Sequence, residues 1–215
     1  MSFSTMLAAM GEGMLRSCAI FFLTILFAMP LGMVIMFLRR SRFAVVREIT
    51  KIYIAIMRGT PLMLQLLMWY FSPYYLFGMS IRGYRFPAII IGFSMNYAAY
   101  FAEIYRGGME TIPQGQYEAA EILGYSKGQT FFKIILPQVI KAILPSITNE
   151  IITLVKDTSL AFTLAYNEMF SLAKQIAASQ TSFVPFVIAG AFYFIANYVV
   201  AFVMERIEKA FDYYK

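Results

Sequence analysis

Ser146, Glu150, Thr153 and Asp157 recur at i, i+4, i+7 and i+11 within an otherwise apolar stretch. On a helix all four fall on one face, with Asn149 and Lys156 on its flank. An ionisable group inside a bilayer costs on the order of 3 kcal/mol by insertion scales, so such a face survives where it pairs internally or lines a wet route. Two readings stand: a route for a polar solute, or a structural cluster in which Lys156 neutralises Glu150 or Asp157. Catalysis by paired carboxylates fits poorly, because seven helical residues hold Glu150 and Asp157 about 10 Å apart. The chain also contains no histidine, the commonest general base and metal ligand. With no nucleophilic serine motif and no metal-ligand spacing, neither a catalytic residue nor a metal site is expected.

Two more polar lines accompany this face. Asn96, Tyr100 and Glu103 follow i, i+4 and i+7, beside Gly92 and Ala99, which permit close helix packing. Asn96 reads equally as interhelical glue or as a ligand contact, and Glu103 is expected to pair with Arg106 or Lys141. Further upstream, Gly59, Thr60 and Pro61 interrupt an apolar run that also carries Arg58 and Gln65. Pro61 removes a backbone donor and frees a carbonyl. The break could turn backbone dipoles and Thr60 toward a pathway, with Gln65 one turn further out; the alternative is a proline kink that merely suits packing.

The elements that must position these groups are transmembrane helices. Hydrophobic residues make up 60% of the 215 and charged residues 14%, the composition of an integral membrane protein. A single domain, 1–215, is expected. Ser17 to Leu38 is uncharged and long enough to cross a hydrocarbon core of about 30 Å, and is too long for a signal-peptide core. Ahead of it, Phe3, Met6, Leu7 and Met10 predict a short helix on the outer membrane face, with Gly11 and Gly13 at the bend. Further spans are expected near Ile52 to Phe77, from Phe86 through Glu103, across Ala142 to Leu164, and within Gln175 to Met204, the last leaving room for an outer loop containing Pro185. Arg39, Arg40, Arg42, Arg47 and Lys51 fall in one inter-span segment and Arg106, Lys127, Lys133 and Lys141 in another, while Arg82 and Arg85 stand nearly alone. The positive-inside pattern then puts the amino terminus outside and the carboxyl terminus, from Glu205 to Lys215, in the cytoplasm. The net charge of +6 follows from this pattern; the bases are not gathered on one face with interleaved aromatics, so nucleic acid is not an expected partner. Cys18 alone offers neither a disulfide framework nor a metal cluster.

One inter-span segment has a pattern of its own. Glu118, Ala119, Ala120, Glu121, Ile122 and Leu123 favour a short helix that Gly124 stops, and after a polar turn the apolar run Phe131 to Leu136 resumes until Pro137 interrupts it. Glu118, Ala119, Ala120, Gly124, Ile134, Leu136 and Pro137 together match the EAA loop, E-A-A, three residues, G, nine residues, I-x-L-P, without a substitution. The chain in this respect resembles ABC importer permeases. Arg58 to Leu62 with Gln65, and Lys156-Asp157-Thr158-Ser159-Leu160, look like the polar amino-acid uptake branch of that family.

The resemblance implies an all-α polytopic fold of about five transmembrane helices, of the type I permease class, in the cell membrane. It implies that residues 106–137 form the coupling loop, with Glu118, Ala119, Ala120 and Gly124 in contact with a separate ATPase. That ATPase would carry ATP and Mg, since no Gly-x-x-x-x-Gly-Lys-Ser/Thr loop occurs here and no cofactor is expected on this chain. A second permease, identical or related, and an extracytoplasmic amino-acid-binding protein are the other implied partners. By the same resemblance Asp157 or Glu150 would meet a substrate's amino group and Lys156 or a backbone dipole its carboxylate, with Thr158, Ser159, Thr60, Gln65 and Asn96 at the site. Its rival is a passive channel or membrane scaffold, which would have no use for a seven-position coupling pattern.

Overall fold

The computed structural model describes residues 2–211, so the last four residues of the expected cytoplasmic tail and of the 1–215 domain lie outside the described residues. All regular structure among them is helical. Helix α1 (Phe3–Arg39) begins at Ser2, whose hydroxyl accepts from the Thr5 amide at 3.2 Å. Helices α2 (Ala44–Gly59) and α3 (Leu62–Phe77) follow, then α4 (Arg85–Glu110) and the short α5 (Gln114–Ile122). The single turn α6 (Lys127–Gln129), a π-helical turn (Thr130–Ile135), α7 (Leu136–Asp157) and a 3₁₀ turn (Thr158–Leu164) make one continuous run of 38 residues. Helices α8 (Met169–Gln180) and α9 (Val184–Ala210) complete the chain.

Helix α1, the Lys127–Leu164 run and α9 are each long and apolar enough to cross a membrane. The bent pair α2 and α3 makes a fourth candidate span. Helix α4 covers the remaining expected span, and its 26 residues reach about 39 Å. Less apolar than the others, it is buried along nearly its whole length from Ala88 to Gly108, packed by α1, α2, α3 and α7. A helix packed by protein over most of its surface has little need of a lipid-like face.

Close approach of α4 depends on small residues. A Cβ at Gly32 of α1 would lie 2.8 Å from Phe101 Cβ, and one at Gly92 of α4 would lie 2.8 Å from Leu66 Cδ2. Around these contacts Ile20, Phe93, Tyr97, Phe101, Ile135 and Leu154 form the core.

Three expectations are corrected, and one of two open readings is decided. No separate amino-terminal helix exists and Gly11 and Gly13 form no bend: α1 runs through both, because Gly13 seats Met169 of α8, whose Cα would be 2.9 Å from a Cβ there. That tertiary contact outweighs the roughly 1 kcal/mol that glycine costs a helix relative to alanine. The second span is a break and not a kink, since α2 and α3 meet at 114°. Pro137 does not interrupt the chain. The helix widens into the π-helical turn just before it, which accommodates the missing amide donor. Pro185 stands in the first turn of α9 instead of in the outer loop, a position where no amide donor is required.

Candidate functional site

The break at Thr60 and Pro61 leaves backbone carbonyls without helical partners, and two amides answer them. Gln65 Nε2 donates to the carbonyls of Met57 (3.0 Å) and Thr60 (3.1 Å) and approaches Thr60 Oγ1 at 2.8 Å. Asn96 Nδ2 donates to Met57 O at 2.9 Å and to Gln65 Oε1 at 3.0 Å. Both amide side chains are buried. Both amides hold a sharp bend against α4. The Thr60 hydroxyl, exposed, turns back to Ile56 O at 2.8 Å.

That bend aims Arg58 at α4, where its guanidinium carbon lies 5.3 Å from the Tyr100 ring centroid. Beneath it Glu103, whose side chain is 14% exposed, collects three arginines: Arg39 of α1 at 2.8 Å, Arg106 of its own helix at 3.0 Å and Arg58 of α2 at 3.8 Å. Arg106 was an expected partner; Arg39 and Arg58 are additions that no helical spacing could reveal. One carboxylate thus ties three helices together at the end of the bundle from which residues 106–137 extend.

Above this cluster opens a polar cleft of about 510 Å³ between α2, α4 and α7, lined among others by Arg58, Tyr100, Glu103, Arg106, Ser146 and Glu150. A second recess of about 330 Å³ shares Arg58 and Glu103 and adds Arg39 and Lys51. Ser146 and Glu150, one turn apart on α7, therefore do share a face that looks into a cavity. Two turns further along, Asp157 Oδ2 accepts from the Tyr97 hydroxyl at 2.8 Å. Among the described residues no ion pair joins Lys156 to either carboxylate, and its side chain is exposed. The remaining two candidates lie elsewhere. Thr158 is buried beside Ser17 and Cys18 and donates to Val155 O at 2.7 Å, and Ser159 donates to Lys156 O at 2.8 Å. Tyr97, an aromatic in an apolar sequence context, had no signal to mark it as the partner of Asp157.

The EAA segment forms α5, a glycine turn and the π-helical turn. Gly124 has φ +78°, with its amide on Glu121 O (2.9 Å) and the Tyr125 amide on Ala120 O (3.0 Å), a left-handed cap suited to glycine. Ala120 is buried, whereas Glu118 and Ala119 are exposed and Ile122 and Leu123 are 86% and 73% exposed. Two side-chain amides clasp the segment to α7: Gln116 Nε2 donates to Gln138 Oε1 at 3.0 Å and Gln138 Nε2 returns to Gln116 Oε1 at 2.6 Å.

Residues 25–213 match the family model for the binding-protein-dependent transport system inner membrane component. The chain belongs to that permease family. This ABC importer permease is 34% identical over 195 residues to the L-cystine transport system permease protein TcyB of Bacillus subtilis, covering 89% of this chain and 82% of that protein. It is 34% identical over 209 residues to the putative glutamine transport system permease protein GlnP of Rickettsia bellii, covering 96% and 94%. A third relative, the arginine transport system permease protein ArtQ of Bacillus subtilis, is 33% identical over 199 residues, covering 92% and 90%. The permease superposes on the crystal structure of an amino acid ABC transporter with histidines at a TM-score of 0.86, with 28% identity and 98% and 99% of the chains covered. An inward-facing MetNI methionine ABC transporter shares the fold at a TM-score of 0.76 and 19% identity. These likenesses place the permease in the polar amino-acid branch, as an integral inner-membrane protein of several spans. It is a transport subunit and not an enzyme, ATP hydrolysis belonging to a separate subunit.

Proposed function

We propose that the permease forms half of the translocation pathway of a binding-protein-dependent importer of polar amino acids and passes the ATPase stroke to that pathway through residues 106–137. The observation that carries the reading is a cleft in which Arg58 and Glu150 face the same space. A zwitterion needs an anion for its ammonium group and a cation for its carboxylate, and both signs line this cavity. Glu150 and, further along α7, Asp157 would receive the amino group. Arg58 or Lys156 would receive the carboxylate, and Thr60, Gln65 and Asn96 would hold the bend that presents Arg58. The relatives carry names for L-cystine, glutamine and arginine transport, which supports an amino acid as the substrate class without choosing one.

The exposed Ile122 and Leu123 beside Glu118 and Ala119 form an apolar patch outside the spans, of the kind that marks a protein contact. Its partner would be the ATPase, which binds ATP and Mg, and closure of the ATPase pair would move α5 and turn the spans outward. Either a second copy or a related chain would complete the permease pair, under an extracytoplasmic amino-acid-binding protein. In this arrangement the coupling loop and the carboxyl terminus are cytoplasmic and the amino terminus is outside. The test is co-purification from membranes followed by ATPase assay with single amino acids and the cognate binding protein. Recovery of a nucleotide-binding subunit whose hydrolysis rises with one amino acid supports the reading. Recovery of the chain alone, conducting in liposomes without ATP, overturns it in favour of a channel.

A further inference from the structure

Between α1, α4, α7 and α9 lies a groove of about 530 Å³, within the roughly 300–1,000 Å³ range of ligand pockets. Five methionines, at positions 29, 33, 36, 109 and 204, contribute to its wall. The hydroxyl of Tyr105, also in the wall, is already turned to Met29 O at 3.4 Å, so the lining presents no free polar group from that residue. Unbranched, polarisable methionine side chains adapt to a flexible apolar occupant. Helices α1 and α9 are two of the most apolar spans, so the medium at the mouth, where Met33 is 46% exposed, is the bilayer itself.

Charge at one rim narrows the choice of lipid. Arg40, just past the end of α1, sets its Nη1 3.4 Å from the sulfur of Met109 in the groove wall. Its neighbour Arg39 is committed to Glu103, but no carboxylate lies within ion-pairing distance of Arg40 among the described residues. An exposed, uncompensated guanidinium at the mouth of an apolar groove matches a molecule with an anionic head and an acyl tail, and basic pockets between spans take such headgroups. The wall also includes Phe131 of the π-helical turn. An occupant would therefore touch the coupling segment as well as the spans.

We propose that this groove binds one anionic phospholipid, with an acyl chain among the methionines and the phosphate on Arg40. Nothing in this inference depends on the substrate carried. Native mass spectrometry tests it on the full chain released from micelles containing equal amounts of phosphatidylglycerol and phosphatidylcholine. One phosphatidylglycerol is retained per chain, preferred by about fivefold, the factor one basic residue contributes near an anionic lipid surface. Arg40→Gln loses that preference while still retaining lipid, and Met33→Trp, which fills the mouth, loses retention of both lipids. Equal retention of the two lipids, or an unchanged preference in Arg40→Gln, overturns the proposal. So does efficient disulfide cross-linking of Met33→Cys between two copies in a Cys18→Ala background, which would make the groove a chain-to-chain contact.

Discussion

Tyr97 of α4 donates its phenolic hydrogen to Asp157 Oδ2 of α7 at 2.8 Å, joining the two helices beyond the polar cleft. A hydrogen bond to a charged acceptor is worth about 1.5–3 kcal/mol, so this contact positions the carboxylate, and a substrate ammonium bound there as proposed would compete with the phenol for it. Asp157→Asn is expected to abolish amino-acid uptake while the assembly is recovered in normal yield. Tyr97→Phe, which keeps the charge and loses the donor, should leave uptake measurable with KM shifted by about tenfold. Normal uptake by Asp157→Asn would remove this residue from the site.

Gln65 answers carbonyls that the break at Pro61 leaves open. Gln65→Leu keeps the volume and loses the donors, so Thr60 O loses its side-chain partner, Met57 O keeps only Asn96, and the buried Asn96 amide loses Gln65 Oε1, at about 1–3 kcal/mol for a buried group left unsatisfied. Thermal unfolding in detergent should show a lowered midpoint, and uptake should fall with it because Arg58 is no longer held over Tyr100. A substitution without effect on either would show that Asn96 alone suffices.

Glu103 stands between Arg39, Arg58 and Arg106. Glu103→Gln removes the carboxylate these three share and leaves like charges facing each other. The expected loss is on the order of 2 kcal/mol of stability, below the 3–5 kcal/mol of a fully buried pair because Arg58 is half exposed. Raising salt should narrow the difference between the variant and the parent protein, as screening weakens the repulsion; a salt-independent difference would point to lost packing instead.

Gly124 occupies the left-handed region at φ +78°, where an L side chain costs roughly 1–2 kcal/mol. Gly124→Trp adds bulk beside the exposed Ile122 and Leu123. Membrane insertion should continue, but ATP hydrolysis by the assembled complex should no longer drive uptake. Fully coupled transport by this variant would count heavily against docking at this turn.

Gly13 meets the backbone of Met169, so Gly13→Leu must push α8 away from α1. Overpacking of this kind costs about 1–3 kcal/mol. Gly11→Leu, where a Cβ meets nothing within 4 Å, should be tolerated; equal loss from both would mean that the helix itself, and not the contact, is sensitive.

The amino-acid sequence by itself determined the all-α membrane character, the shared face of Ser146 and Glu150, the stop at Gly124, and Arg106 as one of two candidate partners of Glu103. Each depends on composition or on residues a few positions apart, and helical periodicity and glycine's conformational freedom act at that range. The tertiary structure alone decided that α1 runs through two glycines, that α2 and α3 meet at a sharp angle, and that Gln65 and Asn96 serve the bend. It also decided that Arg39 and Arg58 join Arg106 on one carboxylate and that Tyr97 holds Asp157. Those outcomes depend on which surfaces meet across tens of residues, where a close contact or an open carbonyl outweighs local propensity, and no spacing along the chain encodes such a meeting.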